Sequence, residues 1–151
     1  MTENNFQRVG SLSNAHVGRE FENRVLEYFS MEGIKLRKRF LLEIGVGKVK
    51  KSHEFDLGSE KQKTIMECKS HKWTETDKVP SAKMTTWDQA MYYFAICPEG
   101  YRKILMVLRD FSKKRNETLC EYYIRTKKHL IPDDVEIWEF DEDRQTASKK
   151  K

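Results

Sequence analysis

HEFDLGSEKQKTIMECKS, residues 53–70, reads as two strands joined by a polar bridge. Phe55 and Leu57 supply apolar positions before the bridge, and Ile65 and Met66 supply them after it. Between them, Ser59-Glu60-Lys61-Gln62-Lys63 is turn-forming in composition. A hairpin whose turn centres on Lys61 and Gln62 sets Asp56 opposite Glu67. Side chains opposed in this way sit roughly 4.5–5.5 Å apart at Cβ. Alternation along the second strand puts Glu67 and Lys69 on one face and points Cys68 the other way. Two carboxylates that close repel unless positive charge lies between them. A divalent cation answers that need, because Mg²⁺ takes one or two carboxylates and fills its remaining positions with waters or phosphate oxygens. Lys69 borders the same spot, where an amine orients or deprotonates a water or stabilises charge developing on a phosphate. A plainer reading of Glu67-Cys68-Lys69 is a solvated strand face with a weak ion pair. The register decides between them, since a slip of one residue moves Asp56 to the other face.

Outward from the hairpin, the chain alternates helices and strands. Val17, Phe21, Val25 and Phe29 recur every four residues in SNAHVGREFENRVLEYFSMEG, with Leu26 widening the stripe and Gly33 as a stop. Phe40, Leu42, Ile44 and Val46 alternate as in a strand. After Val79-Pro80-Ser81, Met84, Trp87, Met91 and Phe94 form the inner face of a second helix, with Pro80 in its first turn. KILMVLRD is a continuous apolar run of the kind that forms a buried strand. ETLCEYYIRTKKHLI carries Leu119, Tyr123, Thr126 and Leu130 at helical spacing before Pro132, and VEIWEF is a last strand. The order α-β-β-β-α-β-α-β predicts an α/β fold, a mixed central sheet flanked by helices. Residues 1–12 and 142–151 read as loose, charged or polar ends of a single domain covering residues 1–151.

Bulk composition bounds the function. The 151 residues are 38% hydrophobic and 35% charged, enough apolar chain for a core. Net charge is +5, which permits a polyanionic partner. Seven basic residues and one acid, Glu43, lie between Lys35 and Lys51. Cys68, Cys97 and Cys120 form no CxxC pair, and His16, His53, His71 and His129 lack zinc-ligand spacing. Reduced thiols and the absence of a visible signal peptide predict a cytoplasmic or nucleoid-associated protein, and no apolar run approaches a membrane span.

Taken together, Asp56 followed across a hairpin by Glu67-x-Lys69 resembles the PD-(D/E)XK nuclease superfamily, with its restriction-endonuclease-like α-β-β-β-α-β core. GREFE, with Gly18, Phe21 and Glu22, resembles the family's helix glutamate, and Gln89 with Tyr93 resembles its Q-x-x-x-Y pair on one face of the following helix. The chain departs from the family at Phe55, where a proline often precedes the motif acid. The resemblance covers about Ala15 to Asp110. It implies an Mg²⁺-dependent DNA endonuclease of restriction, homing or junction-resolving type, with Mn²⁺ able to substitute. Asp56, Glu67 and the backbone carbonyl of Cys68 would hold the metal. Lys69 would act on the attacking water, Glu22 would assist metal or water binding, and Gln89 would position water or phosphate. Arg19, Lys48, Lys50, Lys51, Lys72 and Lys83 are candidate DNA contacts, with His71, Trp73 and Lys78 nearby, and such contacts give affinity rather than sequence choice. Cutting two strands implies a homodimer or higher homo-oligomer. An exonuclease of the same fold, a catalytically silent nucleic-acid-binding module and a protein docking an acidic partner are the competing readings.

Overall fold

The computed structural model describes residues 14–151; the expectation about residues 1–12 lies outside them. Helix α1 (Asn14–Met31) leads into β1 (Arg37–Ile44), β2 (Lys51–Ser59) and β3 (Thr64–Lys69). Helix α2 (Ser81–Ala95) then precedes β4 (Arg102–Leu108) and a small hairpin, β5 (Phe111–Ser112) and β6 (Glu117–Thr118). Helix α3 (Leu119–Thr126), β7 (Val135–Asp141) and β8 (Thr146–Lys149) complete the chain. Six strands form one sheet in the order β1-β2-β3-β4-β7-β8. The β1–β2, β2–β3 and β7–β8 pairs are antiparallel, and β3–β4 and β4–β7 are parallel. The parallel pairs follow from the two helical crossovers, since a parallel neighbour needs a connection long enough to return the chain to its starting edge. The fold is therefore α/β with a mixed sheet flanked by helices.

Each face of the sheet has its own core. On one face Phe21, Val25 and Phe29 of α1 meet Leu57, Met66, Ile104 and Phe140. On the other, Trp87, Met91 and Phe94 of α2 and Tyr123 of α3 meet Phe55, Ile65, Leu105 and Ile137. Strand β4 reads as a continuous apolar run because it is buried on both sides: Ile104 and Met106 serve the α1 core, and Leu105 and Val107 the α2–α3 core.

The element ends show which local rules prevailed. Gly33, at φ 84°, stops α1, and the Ile34 N–H closes back onto the Phe29 carbonyl at 2.8 Å. Val17, expected in the α1 stripe, is exposed because it precedes the part of the helix that overlies the sheet. Val46 is exposed as well, since β1 stops at Ile44 and the chain turns. Pro80 takes the N-cap of α2 rather than its first turn. Helix α3 starts at Leu119 because Thr118 and Glu121 form a reciprocal capping box, and it ends at Thr126. Leu130, expected on its inner face, sits exposed in a separate 3₁₀ turn, and Ile131 is buried instead. The charged segment after Asp141 is not loose: it turns into β8, pairs with β7 from Asp141↔Thr146 to Trp138↔Lys149, and anchors Lys150 and Lys151 on the Ile137 backbone. Among the described residues no helix is long and apolar enough to cross a membrane.

Candidate active site

Strand β2 is paired with β1 over most of its length, and β3 with β4 from Thr64 to Lys69. Between β2 and β3 the ladder holds only Leu57↔Met66, Gly58↔Ile65 and Ser59↔Thr64. This is the register that a turn at Lys61 and Gln62 predicts. Beyond Leu57 and Met66 the strands part and leave a fork. Asp56 and Glu67 are the first residues past the last rung, so both carboxylates stand at its base. The Cys68 N–H donates to Asp56 Oδ2 at 2.8 Å, which ties the two arms together. In extended chain the N–H and C=O of one residue leave on the same side. The Cys68 carbonyl is thus directed toward the fork, while its side chain packs beside the α1 core.

The strand rotates at Asp56. Phe55 belongs to the α2-side core and Leu57 to the α1-side core, although two residues apart on a regular strand share a face. The cause is visible on β1: Lys38↔Leu57 and Phe40↔Phe55 are paired, Arg39 and Asp56 between them are not, and Arg39 adopts φ 54°. A non-glycine residue in that region is uncommon and costs backbone energy. Asp56 therefore sits at the pivot, within electrostatic reach of Glu67 on β3 and of Glu22 on α1. The same rotation brings His53 into the site. Its Nε2 lies 3.1 Å from Glu67 Oε1, and its ring sits between Tyr93, 4.1 Å away between centroids, and Phe55 at 4.5 Å. Reading the histidines by ligand spacing missed His53. Unbroken alternation from Leu57 puts it on the face away from Glu67, so no local pattern could have found it. Lys38, the first opposing charge on Glu22, was missed for the same reason.

The carboxylates strain one another. Burial first, then the charge of Glu67, raises the Asp56 carboxyl to about 7, against the pull of the Cys68 N–H. Burial also raises Glu22, with Glu67 adding and Lys38 and Arg19 opposing. Glu67 itself is only 6% exposed. Burial and the three acids push the Cys68 thiol well up, so it stays protonated and unreactive. Lys69 has no hydrogen-bonded or ion-paired partner among the described residues. It borders a cavity of about 170 Å³ with Glu67, His53, Gln89 and Tyr93. His71 lies beside it, lowered to about 4 by burial and then by Lys69 and Lys83. The Trp87 Nε1–H donates to His71 Nδ1 at 2.9 Å, so the neutral ring carries its proton on Nε2.

The donor set at the fork fits a hard divalent cation. Two carboxylates and a directed carbonyl supply oxygen, and burial, with the charge of Glu67 next, holds Asp56 near 7, where a cation would release its proton. Among the described residues no three His, Cys, Asp or Glu side chains stand ready-made as a ligand cluster.

Asp56, Glu67, Lys69 and Glu22 thus come together, and Gln89, though exposed, lines the same cavity. The basic candidates surround the site without entering it. Arg19, Lys48, Lys51, Lys72 and Lys83 are exposed, and Lys50 is occupied by the Gly45 carbonyl at 2.9 Å. Trp73, expected to flank the cleft, belongs to the core instead. It is 8% exposed, and both its N–H groups are taken by Asp110, at 2.8 and 3.0 Å. Comparison with protein-family models, with curated proteins and with solved structures returns no match.

Proposed function

We propose that the protein is an Mg²⁺-dependent DNA endonuclease that hydrolyses phosphodiester bonds, built on the restriction-endonuclease-like plan of the PD-(D/E)XK nucleases. The observation that carries the reading is the fork itself: Asp56 and Glu67 at the base of two parting strands, with Lys69 unpaired beside them. The three-stranded antiparallel meander followed by a helical crossover to a parallel fourth strand supports the same plan.

Asp56, Glu67 and the Cys68 carbonyl would hold the cation. Bound there, Mg²⁺ supplies positive charge that relieves the carboxylates and stabilises charge on the phosphoryl oxygens. Lys69, which lines the cavity and has no hydrogen-bonded or ion-paired partner among the described residues, holds the attacking water or a non-bridging oxygen. Gln89 faces that cavity from α2 and orients the same water or phosphate by its amide. His53 fixes the Glu67 carboxylate against Tyr93, so that it meets its ligand in one rotamer. Glu22 sits behind Asp56 and favours retention of positive charge at the fork.

The test is cleavage of single-stranded and of plasmid DNA with Mg²⁺ and with EDTA. Wild type cuts only with the metal, and Lys69→Ala cuts about 10²–10⁴-fold more slowly while binding DNA as before. Cleavage by Lys69→Ala at the wild-type rate would remove Lys69 from the chemistry. Nucleic-acid binding with no cleavage under any divalent metal would leave a binding module in place of an enzyme.

A further inference from the structure

A second hollow lies on the other side of the His53–Tyr93 pair. It measures about 250 Å³ and is open to solvent along one side. Ile44, Val49 and Ile96 give it aliphatic walls, Tyr93 and His53 give it a flat aromatic one, and Lys51 stands at its edge. The turn between β1 and β2 builds it. A Cβ on Gly45 would collide with the Val49 carbonyl, so only glycine lets the turn fold back this tightly. The Gly45 N–H donates to the Ile96 carbonyl at 3.3 Å, which fixes the turn against the end of α2. Val49 stays 82% exposed and Val46, in the same turn, 64%.

We propose that this hollow receives one unpaired nucleobase from the strand whose backbone enters the neighbouring cavity, so that single-stranded, flapped or branched DNA, rather than intact duplex, is the substrate class. The inference rests on the nuclease reading and adds to it a substrate. The chemistry matches on each side. A nucleobase has two apolar faces and a flat outline, and aromatic and aliphatic walls desolvate such faces without choosing among bases. The hollow, at about 250 Å³, has room for one ring system. Its basic edge suits the phosphates on either side of the base, and with Lys50 tied to Gly45 that role falls to Lys51. The two hollows share only the His53 and Tyr93 rings, tilted 35° to each other, as a partition. A strand that places a phosphate against Lys69 on one side therefore runs directly past the mouth on the other. The exposed Val49 borders that mouth, where an apolar side chain can wedge between base steps.

The experiment is an abasic scan. Fluorescent single-stranded oligonucleotides, each lacking one base, are titrated by anisotropy with Ca²⁺ in place of Mg²⁺ to limit cutting. A duplex of the same sequence serves for comparison. Loss of one particular base should weaken binding about tenfold, and the intact single strand should bind more tightly than the duplex. In Val49→Asp, which alters an exposed position, and in Ile96→Phe, which fills the hollow, that one-base penalty should vanish. A flat scan, a penalty unchanged in both variants, or tighter binding of duplex overturns the base-pocket proposal. Cleavage that still needs Mg²⁺ and Lys69 would then leave the nuclease reading standing. A penalty that vanishes in the variants, from a protein that never cuts, keeps the pocket and removes the nuclease. A chain that binds no nucleic acid removes both.

Discussion

Along the seam between β4 and β7, opposite charges meet. Arg102 grips Glu136 with two hydrogen bonds of 2.6 and 2.9 Å, Lys149 approaches the same carboxylate at 3.6 Å, and Lys103 reaches Asp134 at 2.6 Å. The pairing raises Arg102 and lowers Glu136 and Asp134, each through the hydrogen bond to its partner. In the fork between β2 and β3, like charges meet instead. Asp56, Glu67 and Glu22 face one another, and Asp56 and Glu22 are raised, by burial first and then by neighbouring carboxylates. One sheet thus contains a region optimised for pairing and a region that works against itself. The lesson is that acid content does not mark a site. What marks it is acids left without the cations that the same protein supplies freely a few strands away. Glu139 is the exception on the paired side: Lys150 approaches Oε1 at 3.5 Å, and the buried Oε2 has no partner.

Relieving the fork should stabilise the metal-free protein, and this is the largest effect that can break the comparison. Asp56→Asn keeps an acceptor for the Cys68 N–H and removes the charge. The folded Asp56 titrates near 7, above its unfolded value, so its contribution is fully present below about pH 4 and is lost as pH rises through 7. At pH 8 without metal, the Asn variant should be about 4 kcal/mol more stable than wild type, and the gap should close toward pH 4. Urea unfolding at both pH values measures it. An Asn variant less stable at pH 8 would mean that the carboxylates are not in conflict.

Next comes His53. His53→Ala should lower Mn²⁺ affinity about 10–100-fold in calorimetric titration while leaving the thermal unfolding of the metal-free protein within a few degrees. Unchanged affinity would make the His53–Glu67 contact incidental. On the paired side the effect is smaller and opposite in sign. Arg102→Ala should cost about 1 kcal/mol, since the arginine is partly exposed, with no loss of cleavage rate. A stabilised Arg102→Ala would erase the contrast between the two regions. The smallest effect belongs to the rim. Lys72→Ala and Lys83→Ala should each weaken DNA binding a few-fold and lower the slope of log affinity against log salt by about one. A slope unchanged in both would remove these lysines from the DNA path.

The hairpin was legible because its parts are local. Five polar residues between two apolar runs allow few turns, and the turn sets which residue opposes which. That made Asp56, Glu67 and Lys69 readable as one group before any fold was known. The short β5–β6 pair was not legible, since two-residue strands carry no period. Neither was β8, whose Thr-Ala-Ser-Lys gives no apolar alternation and is held by backbone hydrogen bonds to β7.

The sequence by itself determined the order of the longer elements from α1 to β7, the two-sided burial of β4 and the register of the carboxylates, because each depends on periods and spacings within a few residues. Only the tertiary structure decided how far β2 and β3 stay paired, where the strand rotates, and that His53 meets Glu67 while Trp73 turns inward. Those outcomes depend on Arg39 failing to pair with Asp56 and on α2 laying Tyr93 against His53, forty residues earlier in the chain. Side-chain direction at a twist is a balance between two packed faces, and no window of sequence contains both.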